Sequence, residues 1–133
     1  MRVMELITFI RAEVPGQYYA NKLPPTGEHV PANCASVTIH PGGTYDEWTG
    51  KREPSFQILV RGEPFGDSEA EARAYDIFNA LQNRKDVQIG ADSLSIIRPV
   101  GSAPFYIGAD DNNQPIYSMN FNTIIRPQKL EAK

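Results

Sequence analysis

An α+β fold, an α/β sandwich with helices packed on one side of a mixed, mainly antiparallel sheet, is what this sequence predicts. Two stretches repeat apolar residues at helical spacing, several others alternate apolar and polar residues, and their order is helix, three strands, helix, two strands. With 133 residues, 41% hydrophobic and 22% charged, the chain has the size and composition of one domain over 1–133. Such a length buries enough surface to fold without a metal or a disulfide.

The first helix follows from Val3, Leu6, Ile7 and Ile10, which recur at i, i+3, i+4 and i+7, and Pro15-Gly16 ends it. Residues 17–23 form at most a short edge strand before Pro24-Pro25 removes two backbone donors. Ala35 to His40 reads as a strand, with Val37 and Ile39 on one face. Pro41-Gly42-Gly43 turns the chain into a segment, 41–54, that reads as an exposed hairpin or arm. Long loops of this kind tend to contact a partner.

Phe56, Ile58 and Val60 then alternate with Gln57, Leu59 and Arg61, which makes a strand with one wholly apolar face. Ser68 to Glu71 has the form of a capping box, and Ala74, Ile77, Phe78 and Leu81 continue a helix to about Asn83. Arg84 and Lys85 would sit at the negative end of its dipole. A strand over 94–98 stops at Pro99, 100–115 reads as irregular, and Tyr117 to Ile125 gives the longest alternation in the chain.

Composition removes several functions. A net charge of −3 argues against a general nucleic-acid binder, which needs a basic stripe to replace phosphate counterions. One cysteine, Cys34, excludes an intrachain disulfide and points to a reducing, cytoplasmic origin. The apolar N-terminal stretch is interrupted by Glu5 and Arg11, so neither a signal peptide nor a membrane segment is expected.

Chemistry is thinly represented. His29, Cys34 and His40 could form a Cys/His dyad or, with Asp46 or Glu47, a zinc site, but their spacing matches no metal or nucleophile motif. The 62–66 turn joins a strand to a helix without the Gly-Lys-Ser/Thr of a phosphate loop, and Asp67 would repel phosphate. Asp110 to Asn113 has calcium-type oxygens, yet Pro115 and Phe121 occupy the positions of the required glycine and glutamate, so a polar hairpin turn is expected. Glu69 and Glu71 are two apart and do not face each other on a helix. No catalytic set, cofactor or metal is therefore expected, and a small enzyme using Cys34 and His40 is the competing reading.

Aromatics remain: Tyr18, Tyr19, Tyr45, Trp48, Phe65, Phe105 and Tyr106 lie in or beside expected loops, where rings serve as anchors for a protein partner. Tyr45, Trp48, Phe65, Phe105 and Tyr106 are the candidate interface.

The order of parts in the second half carries a resemblance. FQILVRG at 56–62, the acid-capped EAEARAYDIFNALQN, SLSIIRP, SAPFYIGADDNNQPIY and SMNFNTIIRP follow one another, with NKLPP at 21–25 ahead of them. This arrangement resembles the tail-terminator (minor capsid) proteins of long-tailed phages from about residue 17 to 127, although the 41–54 segment is longer than in that family. The resemblance implies a subunit of a ring, usually hexameric, at the head-proximal end of the tail tube. Such a ring ends tube polymerisation and docks neck or head-completion proteins. Its implied partners are copies of itself, the tube protein and the neck, with DNA passing through the lumen unbound. Its implied location is the virion, after assembly in the host cytoplasm. Another head–tail connector or head-completion role is the nearest alternative.

Overall fold

The computed structural model describes residues 1–127; positions 128–133 of the expected unit lie outside the described residues. Helix α1 spans Val3–Glu13 and buries Leu6, Ile7 and Ile10, three of the four residues at helical spacing, with the fourth, Val3, partly buried against the same core. The Glu5 carboxylate accepts the Arg2 N–H at 2.8 Å, which satisfies one of the donors a helix start leaves over.

The strands form one seven-stranded sheet, ordered β1-β2-β3-β7-β5-β4 with β6 attached to β7. Strand β1 (Tyr18–Ala20) runs parallel to β2 (Cys34–His40), and the remaining pairings among the described residues are antiparallel. β2 pairs with β3 (Ser55–Arg61), and β3 lies along one edge of β7 (Pro115–Ile125). The other edge of β7 is shared: β6 (Phe105–Ala109) takes its first half and β5 (Asp92–Pro99) its second. Strand β4 (Arg84–Ile89) lies outside β5.

Helix α2 (Asp67–Leu81) and α1 cover the same sheet face, so the α+β expectation holds. Phe56, Ile58 and Val60 of β3 and Tyr117, Met119, Phe121 and Ile125 of β7 meet Ala70, Ala74, Ile77, Phe78 and Leu81 of α2 in one core. Phe56 and Phe121 stack at 5.1 Å between ring centres, and Phe78 lies 5.9 Å from Phe121. Truncating a ring at this junction costs about 3–5 kcal/mol.

Several expectations need correction. The helix start is two residues earlier than the capping box implied: Gly66 is the N-cap and Ser68 lies inside the helix, with no side-chain cap hydrogen bond. Arg84 and Lys85 do not trail the helix but open β4. Arg84 still meets the negative end of α2, its guanidinium donating to the Ala80 carbonyl at 3.3 Å. The 100–115 segment is not irregular throughout, since β6 and a hairpin turn occupy much of it. Tyr18 is not a surface ring: it is 4% exposed, with its hydroxyl donating to the Val14 carbonyl at 2.6 Å.

One buried charge organises the sheet face away from the helices. Arg61 is 3% exposed, and its guanidinium donates to the carbonyls of Pro24 at 2.6 Å, Pro31 at 3.2 Å and Ala32 at 3.2 Å. It thereby fastens the proline-rich 24–32 segment to β3. The next residue must be small: a Cβ on Gly62 would lie 2.7 Å from the Ala70 Cβ and 3.3 Å from Pro115. The Arg-Gly pair thus joins a pinned loop to a close helix–strand contact.

Candidate interaction surfaces

The five candidate aromatics divide between the two ends of β7. At the Ile125 end, the arm over 41–54 returns to the sheet through Arg52, whose backbone exchanges hydrogen bonds of 3.3 and 2.8 Å with Ile125. The Arg52 guanidinium also pairs with Asp92 at 2.6 Å, and the Met1 amine contacts the same carboxylate. Burial would raise Asp92, but hydrogen bonds and charge from the Met1 amine and Arg52 outweigh it and hold the carboxyl below its ordinary value.

Beyond that root the arm turns on Asp46, whose carboxylate accepts the N–H groups of Trp48 at 2.9 Å and Thr49 at 3.3 Å. These bonds lower the Asp46 pKa. The turn projects Trp48, 93% exposed, and Tyr45, 64% exposed, around an open cleft of about 470 Å³ that Arg52 and Pro127 also line.

At the Pro115 end, Phe65 is held by its N–H to the Asn113 carbonyl at 3.0 Å, while Gly62 donates to Pro115 at 3.0 Å. Phe65 is 79% exposed and adopts φ 59, a left-handed conformation that bulky residues rarely take. Beside it, β6 presents Phe105, Tyr106 and Ile107, each about half exposed. Tyr106 stands on the helix side, its ring 5.5 Å from that of Tyr117, while Phe105 pairs with Ser118, whose side chain lies on the opposite face. Sequence reasoning missed Ile107, although the Phe-Tyr-Ile run was the available signal.

Charge distinguishes the two ends. Glu63, Asp67, Glu69, Glu71 and Asp111 are all exposed around the Pro115 end. Tyr117 registers this field: burial, then the charges of Glu71 and Asp67, then Tyr106, push its phenol upward. From the Tyr117 register to Ile125 is eight residues, about 26 Å at ~3.3 Å per residue. The two aromatic groups are therefore separate surfaces.

The groups considered for catalysis do not assemble. Cys34 pairs with Arg61 and His40 with Ser55, at opposite ends of β2, about 20 Å apart at ~3.3 Å per residue. Burial raises the Cys34 thiol despite the opposing charges of Arg61 and Arg73, which makes it a poor nucleophile. In the 62–66 turn, the N–H groups of Gly62, Phe65 and Gly66 are spent on carbonyls and form no anion cradle. Asp110 accepts the N–H groups of Asn112 and Gln114 at 2.9 and 3.0 Å, so this stretch is the polar hairpin turn expected of it. Among the described residues no three His, Cys, Asp or Glu side chains gather as a metal site, and no helix is long and apolar enough to cross a membrane.

The family described as bacteriophage tail terminator protein matches residues 10–127. Among solved structures, a chain of the virion of a native gene transfer agent (GTA) particle superposes with a TM-score of 0.63 at 16% identity, over 92% of this chain and 90% of that one. A second solved chain gives 0.58 at 15% identity, over 96% and 92% respectively. No curated protein sequence matches.

Proposed function

The chain belongs to the bacteriophage tail terminator family, and from that premise we propose that it forms a ring, hexameric by analogy, at the head-proximal end of the tail tube. A structural tail protein acts through geometry. One surface of the ring caps the last tube ring and stops its growth, and the other receives neck or head-completion proteins. Neighbouring subunits join through a heterologous contact that closes on itself. DNA passes through the lumen without specific binding, and the protein is carried into the virion after assembly in the host cytoplasm.

The observation that carries this reading is the family match over 10–127. Two exposed aromatic groups at opposite ends of β7 support it, because a closing ring needs distinct surfaces on each subunit. Strain at an exposed Phe65 adds weight, since such conformations concentrate where a side chain has a task.

Native mass spectrometry and light scattering on the purified protein, alone and with tube protein, test the proposal. A ring that caps tubes and halts their elongation is expected. A protein that stays monomeric beside growing tubes would refute it. Deleting residues 44–50 is expected to leave a folded protein with weakened ring formation or neck docking.

A further inference from the structure

Among the described residues, the unpaired edge of β6 is the least protected part of the sheet. Natural edges are blunted by charge, proline or short length, whereas Phe105–Ala109 has neither charge nor proline and exposes Phe105, Tyr106 and Ile107. The other outer strands are β1, only three residues long, and β4, which opens with Arg84 and an exposed Lys85. Directly after β6 come Asp110 and Asp111.

Resting on the ring reading above, we propose that β6 of one copy adds antiparallel to the β4 edge of the next copy, making the subunit-to-subunit contact a continued sheet. Charge selects both partner and direction. Antiparallel addition sets the end of β6, with Asp110 and Asp111, beside the start of β4, where Lys85 is exposed, Arg84 also holds Glu13 and Asp86 is paired with Arg126; parallel addition would set those acids beside Ile89 and Gly90. The same alignment lays Phe105 to Ile107 along the Val87–Ile89 half of β4. β4 and β6 are different edges, so the contact is heterologous, as a ring requires. Backbone hydrogen bonds supply affinity and the charged ends fix register.

The test uses the full chain, with assembly followed by native mass spectrometry and analytical ultracentrifugation, alone and with tube protein. Lys85→Glu, Asp111→Lys and Ile107→Lys are each expected to weaken assembly by about tenfold or more, with circular dichroism and melting temperature unchanged. Lys85→Glu combined with Asp111→Lys in one chain reverses the pair and is expected to restore it. Amides of Phe105–Ala109 should exchange more slowly in the assembly than in the monomer. Wild-type-like assembly by the single variants, or no rescue by the double variant, would overturn the strand contact while leaving the ring intact. A wild-type protein that forms no ring even with tube protein would overturn both.

Discussion

Replacing Arg61 with Met tests whether one guanidinium holds the proline-rich loop in place. Met preserves most of the stem's packing and removes three hydrogen bonds, to Pro24, Pro31 and Ala32. A bond to a charged donor contributes about 1.5–3 kcal/mol, so three could supply about 5–9 kcal/mol. Two offsets reduce the loss: the desolvation cost of the guanidinium disappears, and the freed carbonyls can turn to water on a surface loop. About 3 kcal/mol is expected. With an unfolding entropy of roughly 2.1 cal/mol/K per residue, that lowers the melting temperature by about 10 °C. Arg61→Lys should lose about half as much, because a single ammonium cannot span three diverging carbonyls. Calorimetry reads the melting temperature, and hydrogen exchange reads the loop: amides over 21–33 should exchange faster than the global change requires. A drop below about 3 °C with unchanged loop exchange would refute the reasoning.

Gly62→Ala should cost about 1–3 kcal/mol through its 2.7 Å clash with the Ala70 Cβ. Ala70→Gly alone should cost about 1 kcal/mol, and urea titrations of the double variant should show a loss smaller than the sum by more than about 0.5 kcal/mol. Asp92 has a lowered pKa in the fold, so its contribution is complete above the unfolded value, 3.8, and fades as pH falls through the folded value. Asp92→Asn should therefore destabilise by about 1–3 kcal/mol at pH 7 and by progressively less below pH ~4, as urea midpoints across pH will show. Phe65→Gly relieves the left-handed strain and should leave the melting temperature unchanged or raise the stability by up to about 1 kcal/mol. Binding to tube or neck protein should weaken all the same; a fall in stability with intact binding would make Phe65 a packing residue.

The interior was legible because burial imposes a period. Phe56, Ile58 and Val60 alternate cleanly since one sheet face meets helices, and Leu6, Ile7 and Ile10 recur because one helical face meets the sheet. β4 and β6 were illegible for the converse reason. β4 is an edge strand whose early residues face solvent, and Asp86, at φ 57, interrupts the alternation. β6 is exposed along almost its whole length, so burial imposes no period of two on it. Tyr18 misled because a tyrosine beside a proline-glycine break looks like a surface anchor. Its hydroxyl finds the Val14 carbonyl, and a satisfied phenol can be buried. For the candidate surface, residue type pointed to the aromatics, but only the pairing of β6 and Arg52 with opposite ends of β7 separates them into two groups.

β7 therefore works as a ruler as well as a scaffold. Each aromatic group hangs from one of its ends, so the distance between the two surfaces is set by its residue count. Adding two residues would move the surfaces apart by about 7 Å and return every side chain to its original face. Adding one would turn the core side chains beyond it outward. Variation in the spacing of the two surfaces is thereby confined to even steps, while the sequences of the arm and of β6 can change without touching the core.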